Sequence, residues 1–280
     1  MSKRKLMVAL FAIAWLAPLG MAIGYSFLYS LGLAGVLQDG FTFSYWAGLF
    51  QGEFLQSILY SAWVAGASTI LVLLTSLGML FLFRRQFSNR TIYNSLFLPL
   101  AIPPIVLAFS IYQLLSGSGL LSRAAYHMNL ITEASRFPAL VQDPWAIGII
   151  LAHLFLVFPF FLLISLKLYE HQKLEELGRV ASTLGASTGT ILFQVQLPIL
   201  LRGLSPLIAL YFIFFMGAYE IPLILGESSP QMISILILEK LQRFNLADIP
   251  VAHSMAVWYA ILCIATIAWL FSGSQKKVFV

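Results

Sequence analysis

Glu220 is the one acidic residue inside a long apolar run, in Gly217-Ala-Tyr-Glu-Ile-Pro-Leu-Ile-Leu-Gly226. A carboxylate at bilayer depth costs at least about 2.5–3.5 kcal/mol on insertion scales, so such a group faces water, a partner charge or a solute route. Near the outer end of its helix it also reaches the interface, so a structural role and a pathway-lining role both stand. Two proline and glycine clusters could form bends on that pathway: Pro103-Pro104, and Gly217, Tyr219, Glu220 and Pro222. Proline removes a backbone donor and kinks a helix, which a bundle tolerates where neighbours or water resatisfy the freed carbonyls. Ordinary kinked packing accounts for them equally well.

Catalytic sets are absent from the sequence. It has no phosphate-cradling glycine loop ending in Gly-Lys-Ser/Thr, no His-Glu-x-x-His and no Gly-x-Ser-x-Gly. The four histidines, His127, His153, His171 and His253, are scattered, and the single cysteine, Cys263, excludes an internal disulfide and a cysteine metal cluster. The residues themselves thus offer no catalytic set, no usual ATP cradle and no cysteine metal or redox centre.

The stretch Lys173 to Pro198, KLEELGRVASTLGASTGTILFQVQLP, is polar and helix-prone and lies between two long apolar runs. Leu174, Leu177, Val180, Ala181 and Leu184 recur at spacings of three and four, one face of a helix, with Glu175, Glu176 and Arg179 on the polar side. Gly185 permits the left-handed backbone that ends or turns a helix. A second short helix follows, with Ile191, Leu192 and Val195 on one face, before Pro198 leads back into an apolar run. Such a hairpin can lie against lipid headgroups or fit a groove in another protein.

The elements that must hold these residues are membrane-spanning. Of the 280 residues, 60% are hydrophobic and 10% charged, and the mean hydropathy is +0.91, far from a soluble domain with roughly 25% charged residues. The net charge of +5 is spread in small groups without aromatic interleaving, which argues against a nucleic-acid partner. Crossing the bilayer takes about 20 apolar residues, and six segments qualify: Leu6 to Leu31, Ser57 to Phe83, Thr91 to Leu115, Trp145 to Leu166, Leu200 to Leu225 and Val251 to Phe271. Lys3, Arg4 and Lys5 precede the first run, but it is much longer than a signal-peptide core. Cytoplasmic loops retain Lys and Arg. An inside N-terminus puts Arg84, Arg85, Arg90, Lys167, Lys173, Arg179, Arg202, Lys276 and Lys277 with the first three on the cytoplasmic side. Only Arg123, Arg136, Lys240 and Arg243 fall outside. Both termini and the 173–198 hairpin are then cytoplasmic, and the outer loops are expected to form short interfacial helices and turns. The expected organisation is all-α: one polytopic membrane domain over residues 1–280, with a cytoplasmic loop at 167–199.

Ala181, Gly185-Ala186-Ser187, Val195, Leu197 and Pro198 resemble the signature loop of the inner-membrane permease subunits of binding-protein-dependent ABC importers. That pattern runs Glu-Ala-Ala, three residues, Gly, nine residues, Ile-x-Leu-Pro, and nine residues do separate Gly185 from Val195. The departure is Arg179, which stands where the pattern has Glu, with Val180 at the first Ala; Glu175 and Glu176 lie one turn earlier. The resemblance implies the six-helix fold of type I importer permeases in a bacterial inner membrane. It implies a second permease subunit, identical or related, and an extracytoplasmic solute-binding protein. It also implies cytoplasmic ATPase subunits that bind ATP and Mg and receive the 173–198 hairpin, so that this chain is not itself an enzyme and carries no cofactor or metal of its own. Gly217 to Gly226 resembles the corresponding segment of permeases for polyamines, ferric iron, thiamine and phosphonates more than that of sugar permeases. The alternative is an ion-gradient-driven secondary transporter, which would usually show paired intramembrane charges and broken helices in two halves; Glu220 stands alone.

Overall fold

The computed structural model describes residues 3–36, 40–50, 52–133 and 136–274, and among these every regular element is helical. In chain order the principal helices are α1 (Lys3–Ser30), α2 (Glu53–Phe83), α3 (Pro104–Leu115), α4 (Leu120–His127), α5 (Ile147–His171), α6 (Leu174–Thr183), α7 (Leu197–Met216), α8 (Glu220–Leu225), α9 (Ile233–Gln242) and α10 (Asp248–Ser274). Six stretches are long and apolar enough to cross a bilayer: Lys5–Ser30, Glu53–Phe83, Pro104–His127, Ile147–His171, Thr188–Met216 and Asp248–Ala268. Many large apolar side chains on these helices, such as Trp15, Leu74 and Phe155, are exposed. In a bilayer that is the state expected of lipid-facing residues, because hydrocarbon replaces water as the solvent. Lys276 and Lys277, used above to place the C-terminus, lie outside the described residues.

Two expected spans differ from the sequence reading. The third does not run unbroken from Thr91 to Leu115. Arg90–Ser95 is a short helix capped by the Asn89 side chain, which accepts from Thr91 N at 2.9 Å, and Pro99–Ala101 is one 3₁₀ turn. Pro103 is then extended, and Pro104 occupies the first position of α3. The physical cause is the Pro-Pro step: a residue before proline is pushed out of the helical region, whereas proline suits a helix's first turn. The fifth span does not reach Leu225. It stops at Met216, and Gly217 to Tyr219 separate it from α8, so Glu220 opens a new short helix instead of sitting inside a long one. The segments expected from the charge pattern to lie outside contain short helices, Ser44–Ala47, α4 and α9.

The chain divides into two compact units. The first comprises residues 1–58 and 233–280. In it α1 packs along α10 and α9 packs on α10. Its core is built from Leu49, Phe54, Ile233, Leu236 and Met255, flanked by Trp46 and Trp258. Lys240 Nζ meets Glu53 at 3.2 Å, tying α9 to the first turn of α2.

The second unit spans Leu59–Met232 and holds the hairpin. Its core joins Leu77 and Leu80 of α2, Phe87, Leu162, Leu166 and Tyr169 of α5, Leu174 of α6, and Leu200 and Leu204 of α7. The start of α5 is fixed by Asp143, which is buried. Its carboxylate accepts from Trp145 N at 3.1 Å and from Ile147 N at 3.0 Å, satisfying amides that a helix start leaves without intrahelical partners. Tyr60 Oη donates to the Asp143 carbonyl at 3.5 Å, and Trp63 Nε1 to the Trp145 carbonyl at 3.3 Å, so α2 braces the same corner.

Candidate functional site

The hairpin begins where α5 ends. Gln172 closes α5 and Lys173 takes left-handed backbone (φ +50°), turning the chain abruptly into α6. Glu175 and Glu176 lie in the first turn of α6, where carboxylates complement the amide end of the helix. Arg179 Nη2 donates to Glu175 Oε1 at 2.9 Å, one helical turn away, and Lys173 Nζ lies 3.8 Å from Glu176. The Arg179 guanidinium holds the Glu175 carboxyl below the usual carboxylate range, and Glu175 raises Arg179 in return. The arginine that departs from the signature is thus paired within its own helix, to the acid one turn earlier.

The turn is set by glycine. Leu184 closes α6, Gly185 N donates to the Ser182 carbonyl at 3.0 Å and Ala186 N to the Ala181 carbonyl at 3.1 Å. This paired pattern is the Schellman motif, and it requires the positive φ of +89° found at Gly185. Ser187 then caps the return arm, its Oγ accepting from Thr190 N at 3.2 Å.

The return arm is not a separate short helix. Thr188–Thr190 is α-helical, Ile191–Gln196 is a π-helical segment, and α7 follows without interruption. Pro198 lies in the first turn of α7, directly after the π segment. A proline inside a helix removes a donor and crowds the preceding turn, and a π segment loosens that turn by one residue.

The apolar stripe divides in two. Leu174 is 0% exposed and belongs to the unit's own core, whereas Leu177, Val180 and Leu184 are 41%, 58% and 83% exposed. Ala181 and Ala186 are half-buried. Leu174, predicted above to share the free face, is instead the hairpin's anchor, because the left-handed turn at Lys173 aims the first residue of α6 back at α5 and α7.

Three residues that the sequence reading passed over complete the arrangement. Gln196, 8% exposed, donates through Nε2 to Tyr169 Oη at 3.2 Å and to the Leu174 carbonyl at 3.1 Å. Gly178 is the point where α6 meets the return arm: a Cβ there would lie 3.0 Å from Gln196 Nε2 and 3.3 Å from Ile191 Cγ2. Tyr169 also receives the Arg84 guanidinium over its ring at 5.4 Å. A glutamine amid Phe193, Val195 and Leu197 was the available signal, since a polar group flanked by apolar residues needs partners when buried.

The candidate pathway residues fall on two elements that pack together. The helix opened by Pro103-Pro104 lies against α8, the helix opened by Glu220. Ala108 and Ile111 on one and Ile221 and Leu225 on the other are buried. Gln142 N donates to the Leu225 carbonyl at 2.8 Å, closing the end of α8. Glu220 is exposed, Tyr219 is partly exposed, Gly217 closes α7 and Pro222 is buried.

Six apolar spans and a polar hairpin anchored between two of them define a polytopic helical membrane protein. The chain belongs to the family described as the binding-protein-dependent transport system inner membrane component, whose model matches residues 75–279. It is similar to the molybdenum transport system permease protein ModB of Mycobacterium tuberculosis (strain ATCC 25618 / H37Rv), with 28% identity over 237 residues, 84% of each chain. The same likeness holds for ModB of Mycobacterium bovis (strain ATCC BAA-935 / AF2122/97). Among solved structures it shares its fold with a bacterial ABC transporter that imports the acidic polysaccharide alginate, at a TM-score of 0.68 and 17% identity over 98% of this chain and 96% of that one. A second structure of a bacterial alginate ABC transporter, in complex with an alginate pentasaccharide-bound periplasmic protein, matches at a TM-score of 0.68 and 16% identity over 97% of this chain and 93% of that one. The chain is a multi-pass membrane protein and a permease of an ABC importer, and the ion-gradient-driven alternative is set aside.

Proposed function

We propose that the chain acts as one transmembrane permease domain, pairs with a second permease subunit to line a solute pathway, and is driven by cytoplasmic ATPase subunits that bind and hydrolyse ATP with Mg. The observation that carries this reading is the divided stripe of α6: Leu174 anchored in the core, with Leu177, Val180 and Leu184 left free on an otherwise polar hairpin. An apolar row presented this way fits a groove in a partner protein. Fully burying a leucine or valine there contributes roughly 1.5–3 kcal/mol per side chain. In this reading both termini and the hairpin face the cytoplasm of a bacterial inner membrane, and closure of the ATPases around ATP draws the hairpins together and reopens the pathway outward. A solute-binding protein docks on the outer loops.

The packed pair α3 and α8 lines the pathway, with Gly217 and Pro103 as its bends and Glu220 and Tyr219 facing the route. A sequence relative is named for molybdenum and a protein of the same fold for alginate, which supports assigning the choice of cargo to the external binding protein. Copurification tests the reading: tagged permease should retain an ATPase subunit, and removing residues 175–190 should release it. Tagged permease that retains no ATPase refutes the reading.

A further inference from the structure

The coupling reading requires that displacement of the hairpin reach the spans, and the geometry around Gln196 supplies a device for this. α6 is joined covalently to α5 through Lys173 and to the return arm through Gly185, the two residues of positive φ at its ends. A swivel of α6 would turn on these two joints; the buried Leu174 side chain opposes it, but apolar packing is non-directional and does not by itself fix the angle at which α6 leaves α5.

We infer that Gln196 is a positioning residue that latches α6 to the inner end of α5, so that the hairpin and these spans move together. Its single amide nitrogen donates to one acceptor on each side of the swivel: the Tyr169 hydroxyl, on the last turns of α5, and the Leu174 carbonyl, on the first residue of α6. Gln196 itself belongs to the π segment leading into α7, so one side chain joins three elements. The surroundings are built for it. Tyr169 and Leu174 are buried, and Gly178 lets α6 approach until a Cβ would stand 3.0 Å from the amide. A mid-helix glycine is destabilising relative to alanine, so its presence is explained by that close approach. The pairing is specific, because a buried amide whose partners are removed loses hydrogen bonds that water cannot replace.

The inference rests on the coupling reading, but its test does not require an ATPase. Hydrogen exchange is followed on the full-length permease in phosphatidylethanolamine/phosphatidylglycerol nanodiscs, comparing wild type with Gln196→Met, which keeps side-chain bulk and removes both hydrogen bonds, and with Tyr169→Phe, which removes one. In Gln196→Met the amides of Leu177–Ala181 should exchange about ten-fold faster, the effect of lost hydrogen bonds of ordinary net strength, with a smaller increase in Tyr169→Phe. Exchange in α2 and the first half of α5 should be unchanged. Unchanged exchange in the hairpin overturns the latch, and so does an equal rise throughout the unit, which would mark Gln196 as general packing. Failure of the wild-type permease to retain an ATPase would refute the coupling reading while leaving the exchange result standing.

Discussion

Truncating the two ends of the α6 stripe separates anchoring from docking. Leu174→Ala removes a fully buried side chain from a core shared with Tyr169, Leu200 and Leu204. Leucine-to-alanine changes at such sites cost about 2.7–5.0 kcal/mol, the spread reflecting how far the cavity collapses. Leu184, 83% exposed, has little to lose in the isolated permease, and Leu184→Ala should leave its stability within about 0.5 kcal/mol. The order reverses for partner binding. If Leu184 is buried in an ATPase groove, its removal costs roughly 1.5–3 kcal/mol of affinity, or about ten- to a hundred-fold. Thermal unfolding of the purified permease reads the first quantity, and titration of the ATPase subunit onto nanodisc-embedded permease reads the second. The reasoning fails if Leu184→Ala unfolds the permease as readily as Leu174→Ala, or if it leaves ATPase affinity unchanged.

Gly185→Ala should destabilise the hairpin by about 1–2 kcal/mol, because an L-residue is disfavoured in left-handed backbone even with open space around its Cβ; hydrogen exchange at residues 182–187 reads this. Asp143→Ala leaves two amides at the start of α5 without acceptors and should cost about 1–3 kcal/mol in thermal unfolding, with Asp143→Asn recovering part of the loss through its remaining oxygen. Arg179→Glu breaks an exposed pair and sets like charges one turn apart, so the melting temperature should barely move while ATPase stimulation changes if the arginine meets a partner; an unchanged stimulation assigns Arg179 to Glu175 alone. The Glu175 pKa is depressed in the folded protein, so this pair's contribution is complete above the unfolded carboxylate pKa and is lost as pH falls through the lower folded one. The difference in thermal stability between wild type and Arg179→Ala, small for an exposed pair, should therefore be constant from neutral pH upward and shrink as pH falls through the carboxylate range; a difference that instead grows on acidification would contradict that assignment.

Span number and helical class were legible because they depend on apolar length, and length survives any uncertainty about packing. The turn at Gly185 was legible for a similar reason: only the local backbone decides it. What the sequence could not display was continuity. The return arm reads as a separate short helix, but a π segment of six residues, Ile191–Gln196, joins it to α7. Conversely, Thr91 to Leu115 reads as one apolar run and is interrupted at Pro103, since hydropathy does not register backbone geometry. Leu174 and Leu184 are identical in type and sit on the same calculated face, yet one is core and the other free. That difference arises from the left-handed residue Lys173, whose backbone no periodicity announces. Gln196 and Asp143 were missed because their partners are a tyrosine hydroxyl and backbone groups fixed only by the tertiary fold.

The uninterrupted run Thr188–Met216 has a mechanical consequence. Its 29 residues, at about 1.5 Å each, extend at most roughly 43 Å, from near the hairpin tip to Gly217, with the π segment Ile191–Gln196 and Pro206 as the places where such a rod bends. Tilting such a rod by about 10° about its hairpin end carries the far end some ~7 Å sideways, on the scale of a helical turn. If the hairpin is driven as proposed, a small stroke there would become a larger displacement near Glu220, and the break at Gly217 to Tyr219 would let α8 follow at a different angle.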